Sequence, residues 1–131
     1  MTIDVAVSRI TLFSVFMDKT AEFYNAIGLN LQKSRGEWSG EYHYLDILEH
    51  GGQRIFFEIH PLKSGLPVVS PHGLGFDVEN VPEVLKKLME MDTPVSRPGN
   101  PKMYFCCTLA ETRDPDGRTV TITQHGKVKP A

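Results

Sequence analysis

The run Gly73-Leu-Gly-Phe-Asp-Val-Glu-Asn-Val-Pro-Glu-Val-Leu-Lys-Lys-Leu-Met-Glu-Met91 decides how the rest of the chain is read. Leu74, Phe76 and Val78 alternate with Gly73, Gly75 and Asp77, which is the two-residue period of a strand. Asn80 then supplies a helix cap, and Glu83 three residues on completes a capping-box pattern. Pro82 falls in the first turn, where its missing N–H costs no helical bond. Val81, Val84, Leu85, Leu88 and Met91 recur at helical spacing.

The same unit occurs 64 positions earlier, with Leu12 falling on Phe76 and Tyr24 on Leu88. Arg9 to Val15 alternates as a strand. Asp18 reads as a helix cap, Ala21, Phe23, Tyr24 and Ile27 as the apolar helix positions, and Gly28 as a left-handed helix end. A repeat governs every other assignment. Two copies are too few for a solenoid, so they are read as modules that complete one another.

Three strands are expected after each helix. In the first copy they are Leu29–Ser34, Tyr42–Leu48 and Arg54–His60, the last two joined by a loop over Glu49–Gln53. In the second they are a short strand at best before Pro101, then Tyr104–Leu109 and Thr119–Gln124. Asp114-Pro115-Asp116-Gly117 is expected to join the last pair as a type I turn. The expected fold class is α+β, two βαβββ modules over residues 9–60 and 73–124, with a proline-bearing linker over 61–72, in one domain.

Composition narrows the function. The 131 residues carry a net charge of −2, with 14 Lys and Arg against 16 Asp and Glu, so no nucleic-acid partner is expected. No run is long enough to span a membrane, none near the start reads as a signal peptide, and the expected location is the cytoplasm. Cys106 and Cys107 are adjacent and would point to opposite faces of a strand, which argues against an internal disulfide.

Phe23-Tyr24 followed by Gly28-Leu29, and Arg113-Asp114-Pro115-Asp116-Gly117 followed by an alternating strand, resemble the vicinal oxygen chelate superfamily of glyoxalases, bleomycin resistance proteins and extradiol dioxygenases. The resemblance spans about residues 9–124. It implies paired modules whose sheets form a cupped surface around a ligand cavity, helices on the outer face, and a homodimer. It also implies metal-ligand positions on the first and last strand of each module, which here hold Arg9, Glu58, Gly73 and Thr121. Arginine does not surrender its proton to bind metal and glycine has no side chain, so no metal and no cofactor are expected.

The alternation assigns two sheet faces. Ile10, Leu12, Leu45, Ile47, Ile55, Phe57, Ile59, Leu74, Phe76, Leu109, Val120 and Ile122 are expected under the helices, with His43 among them. The opposite face is expected to carry Arg9, Phe13, Tyr42, Tyr44, Asp46, Phe56, Glu58, His60, Tyr104, Cys106, Thr108 and Thr121. Aromatic surface with sparse polar groups is the composition of a small-molecule site.

The expected ligand-binding residues are therefore Arg9, Phe13, Trp38, Tyr42, Tyr44, Phe56, Glu58, Tyr104, Cys106 and Thr121. Each has a plainer reading. Arg9 and Glu58 form either an ion pair, worth about 0–1 kcal/mol if exposed, or a ligand-facing pair. His60 is a strand-end histidine or a base. Cys106 is inert or a nucleophile, and Trp38 is a lid or a packing anchor. The first functional reading is a metal-free protein binding a small, partly apolar organic molecule. The alternative is a glyoxalase-like lyase, isomerase or dioxygenase-type enzyme; a metal-independent variant of it would use Glu58 or His60 as base and Arg9 as oxyanion partner.

Overall fold

A computed structural model describes residues 6–36, 40–62, 73–91, 102–103 and 107–125 of the chain. The elements run β1 (Arg9–Ser14), α1 (Met17–Ile27), β2 (Gln32–Arg35), β3 (Tyr42–His50), β4 (Gln53–Pro61), β5 (Leu74–Asp77), α2 (Val81–Glu90), β6 (Lys102–Met103), β7 (Cys107–Arg113) and β8 (Thr119–His125). The order strand, helix, three strands thus occurs twice, and the fold class is α+β as expected. The linker expected over 61–72 lies almost wholly outside the described residues.

The strands make two four-stranded sheets, β1-β4-β3-β2 and β5-β8-β7-β6. In each, the first strand pairs in parallel with the last and the rest are antiparallel. Among the described residues, no strand of one sheet lies alongside a strand of the other.

The helices start differently. Asn80 caps α2 as expected, its side chain accepting from the Glu83 N–H at 3.1 Å, with Pro82 in the first turn. Asp18 does not cap α1. The residue before α1 is Phe16, without a side-chain cap bond, and Asp18 sits in the first turn, where a carboxylate still favours the positive end of the helix dipole. Gly28 ends α1 at φ 138°, a conformation costly to a side chain, and its N–H reaches back to the Tyr24 and Asn25 carbonyls.

One core runs through both halves. Ala21, Phe23, Tyr24 and Ile27 of α1 and Val81, Val84, Leu85 and Leu88 of α2 pack with Leu12, Phe57, Ile59, Ala110, Val120 and Ile122. The Tyr24 ring touches rings of both sheets, Phe57 at 5.4 Å and Phe76 at 5.7 Å between centroids. Phe57 and Phe76 also meet, at 6.1 Å. The helix-side faces of both sheets therefore close on the same interior.

Two hairpins depart from the expected pairing register by one residue each, and each slip inverts a strand. The β3–β4 turn is the two-residue Gly51-Gly52, at φ 59° and 79°, with His50 opposite Gln53. A two-residue turn pairs odd-numbered with even-numbered residues here, so Tyr44 faces Ile59 and Leu45 faces Glu58. The expected five-residue loop would have paired even with even. Tyr42, Tyr44 and Asp46 consequently lie on the helix side, and His43, Leu45 and Ile47 on the open side.

The β7–β8 loop is the reverse case. It includes Arg118, so Arg113 pairs with Thr119 and Leu109 with Thr123. Thr108, Ala110 and Thr112 turn to the helices, and Leu109 and Glu111 to the open side, opposite to the expectation for Thr108 and Leu109. The turn itself closes by a 2.9 Å bond from the Gly117 N–H to the Asp114 carbonyl.

That turn docks on the first half. Asp114 is fully buried. Its Oδ1 accepts the N–H groups of Asp116 and Arg118, both at 2.9 Å, and its Oδ2 accepts the Tyr24 hydroxyl at 2.7 Å and Arg118 Nη1 at 3.0 Å. Asp116 Oδ2 accepts the Ser14 and Thr20 hydroxyls at 2.5 and 3.1 Å, and its Oδ1 accepts the Val15 N–H at 3.0 Å. Arg118 Nη2 donates to the Phe13 carbonyl. Burial pulls the Arg118 guanidinium down, but the bond and charge of Asp114 outweigh it and hold it above its ordinary value. Burial, then Asp114, push the Tyr24 phenol well up.

Replacing Asp114 by Ala orphans the buried Tyr24 hydroxyl and leaves Arg118 only Asp116 as its charge partner, and should cost about 3–5 kcal/mol, read as a lower urea midpoint at unchanged slope. Thr112 carries the opposite expectation. Among the described residues its buried hydroxyl has no partner. Thr112→Val should raise stability by about 1 kcal/mol, and a fall in the midpoint would show that the hydroxyl is satisfied.

Candidate functional site

The face of the first sheet turned away from the helices is assembled by register. Opposite each other stand Arg9 and Phe56, Thr11 and Glu58, Phe13 and His60 across β1–β4, then Leu45 and Glu58, Ile47 and Phe56 across β3–β4. On β2, Gln32 pairs with Leu45 and Ser34 with His43. Parallel pairing of β1 with β4 is what brings Arg9 beside Glu58, residues 49 apart in sequence.

The polar groups on this face form a chain. Arg9 Nε lies 3.0 Å from Glu58 Oε2, the arginine 62% exposed and the glutamate 13%. Glu58 Oε1 lies 3.3 Å from His60 Nε2. The His60 ring stacks on His43 at 4.8 Å and 2° between planes. Phe13 leans on His60 at 6.1 Å and 44°, and the Arg9 guanidinium sits 5.7 Å over the Phe56 ring. Phe13 and Ile47 are 52% and 44% exposed. Large apolar groups standing open beside a connected polar chain are the composition of a recognition surface.

The expected site residues divide accordingly. Arg9, Phe13, Phe56, Glu58 and His60 share this face. Tyr42 and Tyr44 do not: they lie on the helix side with Asp46. Tyr44 donates to Asp18 Oδ1 at 2.6 Å, and Lys33 stands 5.3 and 5.9 Å over the Tyr42 and Tyr44 rings. Thr121 lies on the open face of the other sheet, between Gly75 and Glu111. Trp38, Tyr104 and Cys106 lie outside the described residues. His43 was missed. The Gly51-Gly52 pair, read as a two-residue hairpin turn, was the signal that would have placed it beside His60.

The open face of the second sheet is shallower. It carries Gly75, Thr119, Thr121, Thr123, Leu109 and Glu111, with His125 Nε2 2.9 Å from Asp77 Oδ1 at its edge. A side chain added at Gly75 would meet open space.

These residues do not fit the metal site that the resemblance implies. Of its four positions, Gly73 offers no donor, Thr121 a neutral hydroxyl, and Arg9 a permanent cation already paired with Glu58. Among the described residues, no group of three His, Cys, Asp or Glu is arranged to hold an ion. No helix among them is long and apolar enough to cross a membrane.

No family model and no curated protein matches the sequence. Solved structures match the fold over almost the whole chain. An antibiotic binding protein, TnmS3 from Streptomyces sp. CB03234, superposes at a TM-score of 0.67 with 18% identity, over 95% of this chain and 100% of that one. The oxidase ChaP-H2 does so at 0.65 and 12%, over 98% and 100%. The bleomycin resistance determinant encoded on the transposon Tn5 does so at 0.58 and 20%, over 92% and 98%. The chain shares the glyoxalase/bleomycin resistance/dioxygenase fold with these structures.

The Tyr44–Asp18 bond makes stability depend on pH at both ends. Burial, then Asp18, push the Tyr44 phenol up to about 12, so its contribution is present below the ordinary 10.0 and is lost as pH rises through about 12. The Tyr44 hydroxyl, then Lys33, hold Asp18 below the ordinary carboxylate value, so that contribution is lost as pH falls through the depressed value. In thermal melts across pH, Tyr44→Phe should flatten both limbs relative to the parent. Identical profiles would mean the bond does not form in solution.

Proposed function

We propose that this protein binds a small, partly apolar organic molecule on the open faces of its sheets, without a resident metal, and that it does so as a homodimer. The observation that carries the reading is the open face of the first sheet, where Phe13 and Ile47 stand about half exposed around the Arg9–Glu58–His60–His43 chain. An apolar ledge beside directional polar groups offers burial to a ligand's body and orientation to its polar end.

The same geometry supports the dimer. The helix sides of both sheets share one core, so their open faces turn away from it and neither covers the other. A second copy laid against them would complete a cup lined by Phe13, Phe56 and Ile47 on one wall and the threonines of β8 on the other. Two solved structures of this fold are named as an antibiotic binding protein and a bleomycin resistance determinant, which supports binding as the reading.

A second reading is a metal-independent lyase or isomerase. The Glu58–His60 contact favours it, because a carboxylate that accepts a hydrogen bond from Nε2–H leaves the Nδ1 lone pair as a base. Turnover of an α-hydroxycarbonyl compound that stops in His60→Gln would establish it.

The binding reading is tested with the one tryptophan, Trp38, as reporter, titrating small aromatic compounds and following its fluorescence. Phe13→Asp and the double change Arg9→Ala, Glu58→Ala should each weaken binding at least tenfold. The melting temperature of Phe13→Asp should stay within a few degrees, since a change at an exposed position costs roughly 0.5 kcal/mol. Undiminished binding in both variants would place the ligand elsewhere.

A further inference from the structure

We infer that the open face of the first sheet selects an organic acid: a flat apolar body bearing one carboxylate or phenolate, bound more tightly when the His43–His60 pair takes up a proton. The inference rests on the reading of that face as the ligand site, and adds the sign of the ligand's charge and its coupling to pH.

The charge follows from which groups are already satisfied. Facing the histidines are Arg9 from β1, Glu58 from β4, and the uncharged Gln32 and Ser34 from β2. Glu49 and Arg54 pair with each other at the turn end of the same face, and Glu41 precedes β3 with interactions of its own. Glu58 spends both oxygens, Oε2 on Arg9 and Oε1 on His60. Arg9 spends only Nε. Its two Nη groups make no hydrogen bond among the described residues, and the side chain is mostly exposed. A half-used guanidinium fork is a receptor for a planar anion. A cationic ligand would meet this fork and find the one nearby carboxylate engaged.

The histidines add the pH dependence. An imidazole changes charge between about pH 5 and 8. A proton added to either ring of the stacked pair, 4.8 Å apart, lies against the other ring's π face. One added proton turns a face of balanced charge, Arg9 against Glu58, into one of net +1. Beside it Phe13 and Ile47 offer the surface for the body of the acid.

The probes are 2-naphthoate and its neutral isostere 2-naphthamide, titrated into the full chain by calorimetry at about pH 6 and about pH 8, the limits of imidazole titration. Two buffers of different protonation enthalpy report proton uptake. The acid should bind about tenfold tighter than the amide at the lower pH, as one charge-assisted fork provides. That preference should shrink severalfold at the higher pH, with uptake of less than one proton per site. Arg9→Gln should erase the preference. His43→Phe and His60→Phe, which keep an aromatic ring, should erase the proton uptake and the pH dependence. Equal binding of acid and amide, or tighter binding of the amide, overturns the inference and leaves the ledge standing as a site. Binding of neither probe overturns the ledge as well.

Discussion

The carboxylate of Asp114 ties the two halves of the chain together. It is fully buried, and all four of its acceptor positions are filled: two by backbone N–H groups of its own turn, one by the Tyr24 hydroxyl from α1 and one by Arg118. Burying a charge is costly unless it is paired and fully hydrogen-bonded. Here the pairing partner Arg118 reaches on to the Phe13 carbonyl, and Asp116 gathers Ser14, Val15 and Thr20. The turn between the last two strands thereby fixes the end of β1 and the start of α1, and with them the position of Phe13 beside His60. Among the described residues the first half has no counterpart. Its hairpin ends in Gly51-Gly52, exposed and without such a cluster. The repeat is symmetric in topology and asymmetric in how it is fastened.

That asymmetry extends to the open faces. The first sheet stands up as rings and a cation: Phe13, Phe56, His43, His60 and Arg9. The second lies low, with Gly75 and three β8 threonines. At the positions where the resemblance implies matching metal ligands, one half carries an ion pair and the other glycine and threonine. The difference leaves the sheet scaffold alike, because these positions point away from the core. A fold of this kind can change what it holds without repacking its interior.

Register decides which side chains this face presents. Side chains alternate with a period of two, so a turn longer or shorter by one residue exchanges the faces of an entire strand. In β3 the exchange is nearly silent in composition: Leu45 and Ile47 on one side, Tyr44 and Leu48 on the other, are apolar enough for either. Tyr44 settles toward α1 because Asp18 there accepts its hydroxyl. His43, which reads as a core residue on pattern alone, instead stacks on His60. In β7 the length of the turn is set by Arg118, drawn out of strand pairing by the buried carboxylates it serves.

The amino-acid order by itself determined the local and the repeated: the Asn80-capped α2, the Gly28 helix end, the two strand–helix units 64 apart, and the face of β1, β4, β5 and β8. Those follow from alternation, capping and spacing, which act over a few residues and leave a visible pattern. Tertiary structure alone decided the faces of β3 and β7, the stacking of His43 on His60 and the docking of Asp114 on Tyr24. Each depends on which distant strand or helix a residue meets, and a single residue of turn length, or one buried charge seeking its partners, is enough to choose between patterns that look alike along the chain.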